Sequence, residues 1–287
     1  MSLIARHGRL GSRAEWQPEV VTNAYTHGHH ESVLRSHRWR TAENSAGYLL
    51  PLLHPGMHVL DVGCGPGTIT MDLAAIVGPE GRVTALERTD EALDLARAEA
   101  DARGTSNVDF VVGNVQDLDL AEHSFDVVHA HQVLQHVDDP VRALREMSRV
   151  CRRGGTVAAR DSDYSAFAWF PTMAELDRWL EVYLQVARSN GAEPDAGRRL
   201  FSWARAAGLT DVTAGSSTWC YSSPLDRAWW GGLWADRIVE SDVARQAVAR
   251  GFATHAELEE IAAGWRRWAE DDAGWFSVLH GEILARA

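Results

Sequence analysis

No stretch of the 287 residues approaches the ~20 consecutive apolar residues that a membrane-spanning helix requires. The opening Met-Ser-Leu-Ile-Ala-Arg-His-Gly has no apolar core of the kind a secretory leader carries. Cysteine is scarce. Cys64, Cys151 and Cys220 are widely spaced and match neither a disulfide framework nor zinc-ligand spacing, so reduced thiols and a cytoplasmic location are expected. Positive charge is also in short supply: 28 basic against 40 acidic residues leave a net charge of −12. Only residues 1–40 and the Cys151-Arg-Arg turn look basic, and both are short. Binding to a phosphate backbone needs a broader cationic face, so no nucleic-acid partner is expected. His27, His29 and His30 straddle a glycine with no neighbouring Cys or Asp, so no metal site is expected either. What remains is an ordinary globular composition, 45% apolar and 24% charged, sufficient for one large domain or one domain with an insertion.

Against that background one stretch stands out. The run Val59–Val62 meets three alternate glycines, Gly63, Gly65 and Gly67, followed by a helix-like segment from Thr68 to Val77. This reads as a buried strand, a tight turn and a helix N-terminus. Glycine lets a ligand approach the backbone with no Cβ in the way, and the helix start offers unpaired N–H groups. Twenty residues after Gly67, a second apolar run ends in Glu87, where a nucleotide-binding α/β fold holds two ribose hydroxyls.

The segment Val59-Leu-Asp-Val-Gly-Cys-Gly-Pro-Gly-Thr68 closely resembles the first motif of class I S-adenosylmethionine-dependent methyltransferases. In a NAD fingerprint the third glycine would come one residue later, and Asp61 before the first glycine is similar to the methyltransferase pattern. Ser124-Phe-Asp-Val-Val-His-Ala-His-Gln-Val-Leu-Gln-His-Val-Asp-Asp-Pro140 resembles the fourth-strand motif of the type 11, ubiquinone/menaquinone-biosynthesis-like group, and with Arg149-Val-Cys-Arg-Arg-Gly-Gly-Thr the resemblance runs over residues 55–160.

Strand–helix alternation continues after the motif. Strands are expected at 82–86, 108–112, 125–130 and 156–159. Helices are expected at 68–77, from Asp90 as cap to Arg103, and at 140–151 with Arg153-Gly-Gly as a left-handed stop. Such alternation demands right-handed crossovers and a parallel sheet, with ligands at the carboxyl ends of the strands. Gly63, Glu87, Asn114 and His131 all fall at such ends. Strand six is placed at 211–221 and a closing strand at 276–286. The fold expected is therefore α/β, a Rossmann-like seven-stranded methyltransferase sheet with helices on both faces and a helical cap insertion. Residues 1–50 read as an N-terminal helical lid, with one helix from Ser32 to Leu50 stopped by Pro51. Residues 51–222 plus 273–287 read as the cofactor-binding core, and 161–190 and 223–272 as cap elements.

The resemblance implies S-adenosylmethionine as cofactor and S-adenosylhomocysteine as product. The cofactor is assigned to Tyr25, Asp61, Gly63, Cys64, Gly65, Glu87, Arg88, Asn114, Val115 and His131, with Tyr25 and one of Arg38 or Arg40 toward its methionine carboxylate. His131 is the first candidate for a general base or acceptor contact; at an unperturbed pKa of ~6.5 its loss should lower kcat at least ~100-fold. Asp161 and Asp163, at the tip of strand five, are candidates to orient an acceptor hydroxyl or amine. Ten of the twelve tryptophans lie beyond residue 160. Trp179, Trp203, Trp265 and Trp268 sit at helical spacing and read as core. Tyr164, Phe167, Trp169, Trp230 and Trp234, with Phe170 and Trp229, fit a stripe less well and read as the lining for a small apolar or aromatic acceptor. A NAD(P)-dependent oxidoreductase and a non-catalytic cofactor-binding protein are the alternatives. Oxygen, nitrogen and carbon acceptors all remain open, as does a homodimer.

Overall fold

The computed structural model describes residues 31–287. Among them, β1 (His58–Val62), β2 (Arg82–Glu87), β3 (Val108–Val112), β4 (Phe125–His131) and β5 (Cys151–Ser162) run parallel in the spatial order 3-2-1-4-5. β6 (Ala168–Phe170), β7 (Thr210–Tyr221) and β8 (Trp275–Arg286) are antiparallel additions: β8 lies beside β5, β7 borders β8, and β6 pairs with the start of β8. β1 and β4 are buried almost throughout, as expected of parallel strands covered on both faces.

The described sheet thus has eight strands, not seven. The addition is β6, three residues inside an aromatic-rich stretch, too short to show an alternation of apolar and polar positions. β5 begins at Cys151, five residues before its predicted start. Gly154 does take positive φ (75°), but within β5, where the pairing to β4 shifts register between Phe125 and Val127; it does not close a helix.

The N-terminal helix is also broken. α1 (Glu31–Arg38) and α2 (Ala42–Ala46) are separate because Thr41 starts the second: its hydroxyl accepts from the Asn44 N–H while the Asn44 side chain accepts from the Thr41 N–H. Pro51 lies within a short 3₁₀ turn at Leu50–Leu52, where a missing N–H is tolerated. α3 (Thr68–Val77) follows the glycine turn. α4 (Asp90–Arg103) is capped by Thr89 rather than Asp90, since the Thr89 hydroxyl accepts from the Ala92 N–H. α5 (Pro140–Val150) is capped by Asp139.

Beyond the sheet, α6 (Ala174–Ser189) and α7 (Leu200–Ala207) precede β7. α8 (Pro224–Glu240), α9 (Asp242–Ala249) and α10 (His255–Glu270) fill the gap between β7 and β8. α6, α8, α9 and α10 share one apolar core with residues of β7 and β8. Trp179, Trp265 and Trp268 are fully buried in it, as their spacing implied, whereas Trp203 packs at the margin of the sheet core. Trp179 meets Trp234 and Trp265 edge to face, with ring centroids 4.6 and 5.0 Å apart, the geometry aromatic quadrupoles favour.

Trp179→Ala should lower unfolding stability by ~3–5 kcal/mol in urea titration, the usual effect of emptying a buried tryptophan site. Truncation of the partly exposed Phe201 to Ala should change it by less than ~1 kcal/mol. Equal effects would mean that the cap is not a packed core.

Candidate active site

The carboxyl ends of β1 to β5 open into a cavity of about 690 Å³. At its inner wall the glycine turn is held by backbone bonds: Gly63 and Cys64 N–H groups donate to the Leu86 carbonyl at 2.8 and 3.2 Å, and Gly67 N–H to Cys64 O at 3.0 Å. The three glycines serve different ends. A Cβ on Gly63 would lie 2.4 Å from Val133 Cγ2, and one on Gly67 would lie 2.9 Å from Ala96 Cβ, so both are packing constraints. A Cβ on Gly65 would point into the cavity, its nearest neighbour being His37 Nδ1 at 4.0 Å. Gly65 is therefore where a ligand can touch backbone.

Glu87, at the tip of β2, turns its carboxylate onto the same turn. Oε1 accepts from Gly65 N–H and Oε2 from Arg88 N–H, both at 3.0 Å. Each oxygen keeps a lone pair for a ribose hydroxyl. Arg88, Asn114 and Val115 also line the cavity. The Asn114 Oδ1 is already engaged, accepting from Gln116 N–H at 3.0 Å, so the amide NH₂ is the part left to face a base. The Cys64 thiol is pushed well above its ordinary pKa by burial and by the nearby Asp61 and Glu87 charges, which makes it inert. Asp61 is 3% exposed and sits behind the turn, accepting from Thr70 Oγ1 at 2.6 Å and facing His129 Nδ1 at 2.8 Å. Its carboxylate is a strut under the glycines, and His129 is a partner-bonded core histidine. Tyr25 lies outside the described residues. Of the two candidate arginines it is Arg40 that borders the cavity.

His131, at the end of β4, lines the cavity, 5% exposed, with both ring nitrogens lacking a hydrogen-bond partner among the described residues. Its pKa is held well below the ordinary 6.5 by burial first and by Arg40 and Arg160 next. The imidazole is thus neutral across physiological pH, which overturns the unperturbed value expected from sequence. His136 is likewise lowered to about 4 by burial and Arg40, and bonds Gln135 Nε2 at 3.1 Å.

Strand parity separates the residues at the tip of β5. Ser162 lines the cavity; Asp161 and Asp163 do not. Asp161 Oδ1 accepts from Gln135 N–H at 3.1 Å, and the Asp163 carboxylate is bound by Arg198 at 2.5 and 2.6 Å. Neither reaches an acceptor. On the cap side Tyr164, Phe167, Trp230 and Trp234 border the cavity as expected. Trp169 does not: it stacks on Phe276 at 5.7 Å inside the cap core. Phe170 is exposed, and Trp229 packs on Trp39.

Several cavity residues carried no signal in the sequence. Trp219 of β7 donates its indole N–H to Asn44 O at 2.7 Å and lies 4.9 Å from the Arg160 guanidinium. Gln132, in the left-handed region at φ 54°, accepts from Arg40 at 2.7 Å. Its amide nitrogen lies 2.8 Å from both Ser162 Oγ and His280 Nε2. His280 Nδ1 faces the Val278 carbonyl at 3.1 Å, so Nδ1 donates there and Nε2 accepts from Gln132. The Trp219–Asn44, Arg40–Gln132 and Gln132–His280 contacts bridge elements more than 90 residues apart in sequence, which local periodicity cannot register.

Glu87→Ala should weaken S-adenosylhomocysteine binding by ~2–3 kcal/mol, the effect of losing charge-assisted bonds, and Gly65→Val should abolish it; calorimetry on both decides, unchanged affinity removing either residue from the site. Asp161 offers a separate test, because burial raises its pKa from 3.8 to about 7. A carboxyl whose folded pKa exceeds its unfolded one loses stability as pH rises between the two values. Asp161→Asn should therefore raise Tm most at pH 8, less at pH 5 and least near pH 4, below which both folded and unfolded carboxyls are protonated, with catalysis retained. A gain that is equal at all three pH values would argue against the shift.

Residues 53–204 match a family described as a methyltransferase domain. The chain is 33% identical over 269 residues, 91% of its own length and 95% of the relative's, to an uncharacterized methyltransferase of Schizosaccharomyces pombe. It is 32% identical to the demethylmenaquinone methyltransferase of Lactococcus lactis over 45% of this chain and 49% of that protein. A phosphoethanolamine N-methyltransferase of Haemonchus contortus, solved with S-adenosylhomocysteine, shares the fold at a TM-score of 0.51 and 16% identity, over 82% of this chain and 49% of that one. No helix among the described residues is long and apolar enough to cross a membrane. Together with a glycine turn whose one open position faces the cavity and an acid at the tip of β2, these likenesses settle the family: the chain belongs to the class I S-adenosylmethionine-dependent methyltransferases.

Proposed function

We propose that the protein methylates a small apolar or aromatic metabolite in the cytoplasm. The observation that supports this acceptor class is the single cavity that joins the glycine turn and Glu87 at one end to Tyr164, Phe167, Trp230 and Trp234 at the other. Its volume of about 690 Å³ lies within the ~300–1,000 Å³ typical of small-molecule sites. When bound, S-adenosylmethionine supplies an activated methyl group on a sulfonium sulfur. The chain's task is to align, desolvate and, where needed, deprotonate.

In this reading Glu87 accepts from the ribose hydroxyls, Asn114 and the Val115 backbone meet the adenine, and Arg40 takes the methionine carboxylate. The described part of the N-terminal segment, 31–50, closes over the cofactor, 51–222 plus 273–287 form the core, and 161–190 with 223–272 enclose the acceptor. The aromatic walls exclude water and clamp a flat or apolar acceptor. His131 presents a neutral imidazole with one donor and one acceptor nitrogen. The oxidoreductase alternative finds no support beside the family membership. The test is transfer of labelled methyl to a panel of phenols, arylamines and aliphatic alcohols, with labelled product and S-adenosylhomocysteine formed in equal amounts. Cofactor binding with no turnover across the panel would favour a non-catalytic protein.

A neutral imidazole with so low a pKa is a weak base, and general-base loss scales with basicity. His131→Gln should accordingly keep kcat within ~10-fold and raise KM for the acceptor, and kcat should show no limb from this residue between pH 6 and 8. A fall of ~100-fold or more with an acid limb in that range would restore the general-base role.

A further inference from the structure

We infer that Ser162 is the hydrogen-bond donor that holds the methyl acceptor, that Gln132 positions it, and that the acceptor therefore carries a lone-pair oxygen, such as a carbonyl, on its apolar frame. This deepens the methyltransferase reading above and rests on it.

Hydrogen-bond polarity at the tips of β4, β5 and β8 follows group by group. A guanidinium only donates, so the Gln132 atom that Arg40 meets at 2.7 Å is the carbonyl oxygen, and the other is the NH₂. That NH₂ has two hydrogens and two neighbours at 2.8 Å, Ser162 Oγ and His280 Nε2. His280 Nδ1 faces the Val278 carbonyl and must donate to it. The ring stays neutral, because burial, Arg160 and Arg40 hold its pKa well below the ordinary 6.5. Nε2 therefore presents a lone pair and takes one amide hydrogen; the second goes to Ser162 Oγ. A serine hydroxyl that accepts there keeps its own hydrogen to give, and no group among the described residues takes it. Ser162 is 2% exposed and lines the cavity, so that hydrogen is left for what fills the cavity.

The sheet decides which ligand that is. Its strand tips run in the spatial order 3-2-1-4-5-8. In the reading above, Asn114 after β3, Glu87 at β2 and the glycine turn after β1 hold the cofactor. Ser162 ends β5, two strands and ~10 Å beyond β1. Its neighbours belong to the acceptor end: it pairs with His280, which lies 4.4 Å from Trp219, and the cavity wall Tyr164 follows two residues on. Gln132 is held in place with its backbone in the left-handed region at φ 54° and its N–H on the Arg160 carbonyl at 2.7 Å. Strain retained beside a cavity marks a conformation that the site uses. An acceptor oxygen with a lone pair satisfies Ser162 whatever the net charge of the molecule. A group that can only donate leaves the hydroxyl unpaired.

The test titrates 2-acetylnaphthalene and 2-isopropenylnaphthalene calorimetrically into the 287-residue protein saturated with S-adenosylhomocysteine. The two probes are flat and nearly alike in shape, and differ in a carbonyl oxygen against a methylene. In a site with no donor the hydrocarbon binds more tightly, because the carbonyl gives up water for nothing. Wild type should prefer the ketone at least ~10-fold. Ser162→Ala should remove that preference by weakening the ketone alone, with hydrocarbon affinity unchanged. Gln132→Glu keeps the size of the side chain and its bond to Arg40, but replaces the NH₂ with an oxygen that takes the Ser162 hydrogen; it should remove the preference as well. A wild type that binds both probes equally or neither, a preference that survives either substitution, or an equal loss of both probes in Ser162→Ala would each overturn the inference. Failure of wild type to bind S-adenosylhomocysteine would instead remove the underlying methyltransferase reading, and this inference with it.

Discussion

The Asp61 carboxylate, buried at the foot of the glycine turn, takes a hydrogen bond from Thr70 Oγ1 on one oxygen and faces His129 Nδ1 on the other. It thereby ties β1, α3 and β4 together at one point, below the place where a ligand meets backbone. A buried carboxylate is tolerable only when its oxygens are satisfied, and removing one partner of such a group commonly costs ~3–5 kcal/mol. The turn above inherits this rigidity. Its N–H groups are already committed to Leu86, and Gly65 N–H to Glu87, so the cofactor end is shaped before anything binds.

The acceptor end is built by different means. There the sheet carries an aromatic wall from a second core formed by α6, α8, α9 and α10. Polar groups within it are held by one another. Arg160, lowered to about 10 by burial yet still charged at neutral pH, bonds Glu282 at 3.1 Å and Ser217 at 3.1 Å. Burial of such a pair stabilises little by itself; its effect is to fix β5, β7 and β8 against each other and to place a cation behind Trp219.

Much of the cofactor end was legible in the sequence because its determinants are local. Three glycines in a row of turns, an acid at the tip of the next strand and the order of parallel strands all follow from residues near one another. The acceptor end was legible only in composition. Tryptophan excess pointed to a lining, and four of the seven residues singled out border the cavity; Trp169, Phe170 and Trp229 do not, Trp169 because β6 turns it into the cap core. Asp161 and Asp163 were misassigned for a related reason: on a strand, adjacent residues face opposite sides, and only the register fixes which side Ser162 takes. Trp219, Gln132 and His280 depend on β7 and β8 folding back beside β5, a pairing across more than a hundred residues for His280. No periodicity within a single segment encodes that.

Trp219 has an implication of its own. Its indole donates to Asn44, its ring meets Trp39 edge to face at 5.2 Å, and on its other side it lies 4.4 Å from His280 and 5.7 Å from His131. Arg40, from the same N-terminal segment as Trp39, reaches Gln132 and through it His280. A ligand that orders Arg40 therefore orders the acceptor wall as well. Thermodynamic linkage makes such coupling reciprocal: whatever the cofactor gains in the acceptor's presence, the acceptor gains in the cofactor's. A cofactor and an acceptor that both engaged this hydrogen-bonded tryptophan wall would by that linkage be coupled to each other within one chain.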